Sequence, residues 1–277
     1  MLKSETCPVS ILEYSDYRLF LKDQYEWAHA KNRSFSHRMI SAKVGSSSSG
    51  WFSDILKARQ NITGSQVIKL SALFHLGERE SDYFESLVQI NQAASLDEKN
   101  RHFRKLMALR SPESKLVGQE QFEYYSKWYY AAIRELLFFY DFRGDFHVLS
   151  RRLSPPIKPA EAKEAIQLLL GLDFIRKDAQ GRYRPLENTL KKDSTFKSLF
   201  AVNFLKANME LGIAALEMFS KEERHVSALT LSYSEAFRIK AEAEIETLRN
   251  KLVALMDEDP HPEKVYQLNL QFFPLTQ

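Results

Sequence analysis

Between Lys31 and Lys69 the chain carries seven cations, Lys31, Arg33, Arg38, Lys43, Lys57, Arg59 and Lys69, against one anion, Asp54. The segment is therefore +6, in a chain whose whole net charge is +3. A local excess of that size on a small unit suits contact with a phosphate backbone. The same segment holds a run of small hydroxyls, Ser46, Ser47, Ser48 and Ser49. Hydroxyls donate to and accept from base edges and phosphate oxygens alike. Arg38, Lys43, Lys57 and Arg59 are thus candidate phosphate contacts, and Ser47, Ser48 and Ser49 candidate contacts to bases or nearby phosphates. The plainer reading is a flexible Gly/Ser linker beside an ordinary solvated face.

The surrounding residues favour a structured site. Ser36 can cap a helix by accepting from the free N–H groups of its first turn. Met39, Ile40 and Val44 give that helix an apolar stripe. Ser41 is small where two helices must cross closely. Gly45 follows, where a left-handed residue ends the helix and turns the chain. A second helix is expected to start in the Ser46–Ser49 run and to bury Trp51, Phe52, Ile55 and Leu56. Two short helices joined by a turn form a helix-turn-helix, whose second helix reads the major groove through its N-terminal residues. Around this pair the patterning predicts a first helix over 14–30, a helix capped by Ser65 and ended by Gly77, and another over 81–94.

Residues 36–76 resemble the XRE, or lambda-repressor-like, helix-turn-helix domain. The matching pieces are SAKVG, the apolar helix ending in DILKARQN, and the next helix, SQVIKLSALFHLG. The turn from Gly45 to Trp51 is about one residue longer than is usual there, and Ala58 stands where such domains often have Gly. Most of the chain resembles an uncharacterised bacterial family grouped as transcriptional regulators. The pieces that carry this are WFSDILKARQN, DYFESLV at 82–88 and VYQLNLQFFPLT at 265–276. The resemblance implies regulation of transcription and brings no ligand or operator.

Further along, residues 96–115 are polar and basic and read as a connector. Phe122 to Tyr140 reads as one long aromatic helix, a core element or dimer face. Asp145 to Leu153 reads as a short helix and Pro159 opens the next. A β-hairpin with its turn at Ala179-Gln180-Gly181 follows. Helix, short helix, helix and hairpin is the order of a winged helix. From Arg143 to Lys192 eleven cations face six anions, a balance of +5. Arg151, Arg152, Lys158, Lys163, Arg182 and Arg184 are candidates for a second DNA or partner surface. From Glu217 onward seven cations face eleven anions, a balance of −4 that repels phosphates. Strand patterning at 227–232 and 265–273 brackets an amphipathic helix over 235–256, a βαβ-like unit. Such a unit has room for a small ligand or a protein partner. A cap that only stabilises the winged helix is the equal alternative.

The expected fold is therefore mainly α (α+β): a helical helix-turn-helix domain over 1–95, a basic connector over 96–118, a winged-helix-like domain over 119–193 and a C-terminal regulatory or oligomerisation unit over 194–277. No Gly-rich phosphate loop, HExxH pair or GxSxG elbow occurs, so no catalytic residue, cofactor or metal site is expected. The acidic loop with Asp257, Glu258, Asp259, His261 and Glu263 reads as solvated. A single cysteine, Cys7, excludes an internal disulfide. No apolar run approaches the roughly 20 residues that cross a bilayer, and the N-terminus lacks a signal-peptide core. A cytoplasmic protein with no membrane partner is expected. The expected function is sequence-specific binding of double-stranded DNA by a homodimer that regulates transcription. The competing class is a protein-interaction scaffold that keeps these folds without reading DNA.

Overall fold

The structure, a computed structural model, describes residues 10–110, 112–186 and 196–276. Cys7, Glu187, Lys191 and Lys192 lie outside them. The described chain is mainly helical, with twelve α-helices and one two-stranded antiparallel sheet. It divides into two compact units. The first comprises the described residues up to Tyr125 together with 196–203, and the second comprises 126–186 and 204–276.

The first unit contains a 3-10 turn, Ile11–Glu13, and helices α1 (Tyr17–Lys31), α2 (His37–Val44), α3 (Trp51–Leu56), α4 (Gly64–Leu73), α5 (Glu78–Gln92) and α6 (Leu96–Ala108). Most of α7 (Pro112–Ser126) and the start of α11 (Lys197–Met218) complete it. In α1, Tyr17, Phe20, Leu21 and Gln24 are buried, the i, i+3, i+4, i+7 face of a helix. Tyr17, Phe20 and Leu21 share one core with Tyr83, Phe84, Leu87 and Val88 of α5, with Tyr17 and Phe84 edge-to-face at 6.4 Å. The expected connector includes α6, a full helix whose Phe103, Leu106 and Met107 are buried in that core. Phe103 stacks on Phe122 at 4.9 Å and takes Phe196 and Phe200 edge-on at 5.0 and 5.4 Å.

The second unit begins with α8 (Trp128–Leu136), α9 (Phe146–Arg151) and α10 (Pro159–Gly171). A hairpin of β1 (Ile175–Lys177) and β2 (Tyr183–Pro185) follows, with Arg176 opposite Arg184. This is the expected order of elements. Asp145 caps α9 through two backbone N–H groups, and Asp178 accepts from Gln180 and Arg182 in the hairpin turn. The long aromatic helix is corrected: it breaks at Lys127, whose backbone is extended, into α7 and α8. The remainder of α11 and α12 (Glu235–Asp257) complete the unit.

Two further expectations change. The C-terminal βαβ-like unit keeps only its helix, α12. Among the described residues β1–β2 is the only ladder, and 227–232 and 265–273 form none. Alternation makes a sheet only when a second backbone lies 4.7–4.9 Å away. Here Tyr233, just after the first segment, stacks on Phe272 of the second at 5.5 Å. Asn269 Nδ2 donates to the Asn208 carbonyl on α11 at 2.7 Å. Gly212 allows that approach, since a Cβ there would stand 3.0 Å from Asn269 Nδ2. Second, α11 is 22 residues long and apolar enough, by length and composition alone, to cross a membrane. Lys206 and Glu210 lie in its middle, where each would cost about 2.5–3.5 kcal/mol or more in hydrocarbon. Its first turns instead place Leu199 and Phe200 in the first unit's core.

Among the described helices, α2, α3, α4 and α10 are closed by a left-handed residue with paired 6→1 and 5→2 bonds, the Schellman pattern. Gly45 does so after α2, at φ 83°. Ala58 after α3, His75 after α4 and Asp173 after α10 do the same at φ 55–56° without being glycine. Gly77, expected to end α4, precedes α5 instead, because His75 has already taken the left-handed position. The left-handed region costs an L-residue about 1–2 kcal/mol, and glycine returns part of that as chain entropy. Ala58→Gly is therefore expected to stabilise the first unit by about 0.5–1 kcal/mol, and Ala58→Val to destabilise it. Urea midpoints check this; a glycine variant no more stable than the parent would mean Ala58 is unstrained.

Candidate nucleic-acid interface

The candidate interface lies on α2, the turn 45–50 and α3. Ser36 Oγ accepts from Met39 N at 3.2 Å and starts α2 as expected. Ser41 is 1 % exposed. Its hydroxyl donates to the Ser49 carbonyl and accepts from Phe52 N, both at 3.3 Å. A larger residue would lose both bonds and push the helices apart. The second helix starts later than expected, at Trp51 with Gly50 before it. The serines prefer bonds to their own turn: Ser46 Oγ accepts from Ser48 N and Ser48 Oγ from Gly50 N. Such local bonding competes with helix. Ser47, Ser48 and Ser49 are consequently exposed on the turn leading into α3, whose first turn buries Trp51 and Phe52.

Of the candidate cations, Arg38 and Lys43 are exposed on α2. Lys57 is exposed at the C-terminal end of α3, and Arg59 sits just beyond it. Arg59 forms an ion pair with Asp54 at 3.6 Å, with its side chain 68 % exposed. Such a pair is worth about 0–1 kcal/mol and yields readily to a phosphate. Lys69 belongs to the scaffold, because its Nζ donates to the Val44 carbonyl at 2.8 Å and caps the end of α2.

Three supporting residues carry no signal in sequence. Arg18 donates from Nε to the Ile55 carbonyl and from Nη2 to Asn61 Oδ1, fixing the loop after α3. Gln92 grips Ile62 by both its N–H and its carbonyl, at 2.8 and 3.0 Å. His37, at the head of α2, packs against Tyr25 at 4.3 Å and Phe52 at 5.1 Å. Its Nε2 is buried without a hydrogen-bond partner. Burial, then the positive fields of His29 and Lys57, hold its pKa below the ordinary 6.5. The unfolded chain therefore binds the proton more tightly, and stability rises with pH. The first unit is expected to keep its full stability above pH about 6.5 and to lose it progressively below, as His37 is forced to charge. His102, also lowered by burial, adds in the same direction. Melting curves from pH 5 to 8 check this; His37→Phe should flatten the dependence in part, and an unaltered slope would remove His37 from the account.

The second cationic group is more engaged. Asp141 accepts from Arg143 at 2.8 Å and Arg184 at 3.3 Å, and Arg182 pairs with Asp178 at 2.8 Å. Arg152 lies over the Tyr140 ring at 4.1 Å. Arg151 is exposed, the Lys158 N–H donates to Glu161, and Lys163 borders a surface hollow with Phe146 and Pro159. Arg184, and more loosely Arg182 at 4.0 Å from Asp141, tie the hairpin to the 141–143 loop. Among the described residues no three His, Cys, Asp or Glu side chains gather into a metal-holding group.

Residues 109–275, more than half of the chain, match a family described as a domain of unknown function, DUF4423. The match begins just after α6 and leaves the helix-turn-helix outside it. No curated protein and no solved structure matches the chain. By the extent of that match, the chain belongs to the DUF4423 family.

Proposed function

We propose that this chain is a sequence-specific DNA-binding regulator of transcription, reading duplex DNA through α2, the serine turn and α3. One observation carries this reading: Arg38, Lys43 and Lys57 stand exposed around an exposed serine turn, on a two-helix frame locked by Ser41, with Asp54 the only acid between Lys31 and Lys69. Cations of this kind position a protein on the phosphate backbone, and hydroxyls at the head of a helix can reach base edges. The likeness of residues 36–76 to XRE-type domains supports the same reading. Selection of binding sites from a random duplex library tests it. An enriched sequence bound with a steep inverse salt dependence is expected. Absence of enrichment, with no salt-sensitive binding, would move the chain to the competing class, a protein-interaction module. The exposed apolar side chains of α11 and α12, Leu205, Ile213 and Leu255 among them, are what favour that second reading.

A further inference from the structure

Helix α12 is 23 residues long and buries none of its side chains. A helix of that length is marginal alone in water and usually draws its stability from packing one apolar face. Such a face is present. Ala241, Ile245, Leu248, Leu252 and Leu255 follow one another in steps of four and three residues, the seam spacing of a two-helix coiled coil. Leu248, Leu252 and Leu255 are 47, 41 and 59 % exposed. The charges beside the seam are ordered: Glu242 and Glu244 flank its N-terminal half, and Arg249 and Lys251 its C-terminal half.

From this we infer that α12 pairs antiparallel with α12 of a second copy of the chain, about a two-fold axis between Ile245 and Leu248. In that register Ile245 packs on Leu248 of the partner subunit, and Ala241 on Leu252 of the partner subunit. Glu242 faces the partner's Arg249, and Glu244 faces the partner's Lys251. By symmetry the four charges that flank the seam, Glu242, Glu244, Arg249 and Lys251, each meet an opposite one, which fits an isologous interface. A parallel pair joins only Glu244 with Arg249 and leaves Glu242 and Lys251 against apolar neighbours. Glu242 already holds Arg238 within the helix, and its carboxylate can accept from both arginines. The exposed stripe of α11 is a poorer occupant, since Lys197, Lys206, Glu210 and Glu217 are its only charges and cannot match this pattern. The pairing is independent of DNA.

Sedimentation equilibrium of the full chain, without DNA, tests the inference. The parent should be a dimer at micromolar concentration, twice 32.2 kDa. Glu242→Lys/Glu244→Lys makes the flanks wholly cationic, and Arg249→Glu/Lys251→Glu makes them wholly anionic. Each should weaken self-association roughly tenfold or more, and the two mixed should form a heterodimer. The helix direction is read on a Cys7→Ser background. Ala241→Cys mixed with Leu252→Cys should cross-link under mild oxidation, and neither variant alone should. A monomeric parent, reversals that dimerise like the parent, or cross-linking of each single variant without the mixture would each overturn the proposal.

Discussion

Phe52→Ala is expected to cost the first unit about 3–5 kcal/mol, most of what holds a domain of this size folded. Phe52 is fully buried. Its ring lies 5.9 Å from Tyr25 of α1, 5.1 Å from His37 of α2 and 6.4 Å from its neighbour Trp51. Its N–H is one of the two bonds that anchor Ser41. Truncation leaves a cavity where three helices meet. Urea unfolding followed by near-ultraviolet dichroism measures the loss. A cost below about 1 kcal/mol would mean the three helices are not packed on this ring. The same substitution should abolish salt-sensitive DNA binding, because the exposed cations keep their places only while α2 and α3 stay docked.

What the sequence disclosed follows from how far each determinant lies from its partner. Ser36 and Gly45 were legible because a cap acts within a few residues. The α9 to β2 series was legible because each element carries its own period and its own punctuation, Asp145, Pro159 and Gly181. Gly77 misled because the left-handed position, most often a glycine, had passed to His75. The serine run misled because its hydroxyls close a turn that propensity alone does not distinguish from a helix start. Alternation at 265–273 promised a strand, yet alternation cannot name the neighbouring backbone, and here the segment is held by Asn269 on α11. At the candidate interface the cations were visible as charge, but their division into free and structural groups was not. Lys69 reaches Val44 across 25 residues, and Arg18 reaches Asn61 across 43. No local pattern records such pairings.

That division sets the size of the effect expected at the interface. Arg38→Ala, Lys43→Ala and Lys57→Ala combined remove the three exposed cations on α2 and at the end of α3, and leave Arg59 with its Asp54. Each phosphate contact contributes about 0.9 to the slope of log affinity against log salt, so the triple variant should lower that slope by nearly three. At 0.1 M salt this corresponds to a loss of roughly several hundred-fold on a selected operator. Arg59→Ala alone should lower the slope by about one, less whatever the freed Asp54 adds in repulsion. Lys69→Ala should behave differently: it leaves the Val44 carbonyl uncapped, costs about 0.5–1.5 kcal/mol of stability and leaves the slope nearly unchanged. The triple variant touches no buried group, so its urea midpoint should match the parent's. Fluorescence anisotropy titrations between 50 and 300 mM salt would read all three slopes. If the triple variant keeps the parent's slope while folding normally, the phosphates are held by another surface, and α2 and α3 do not sit on DNA.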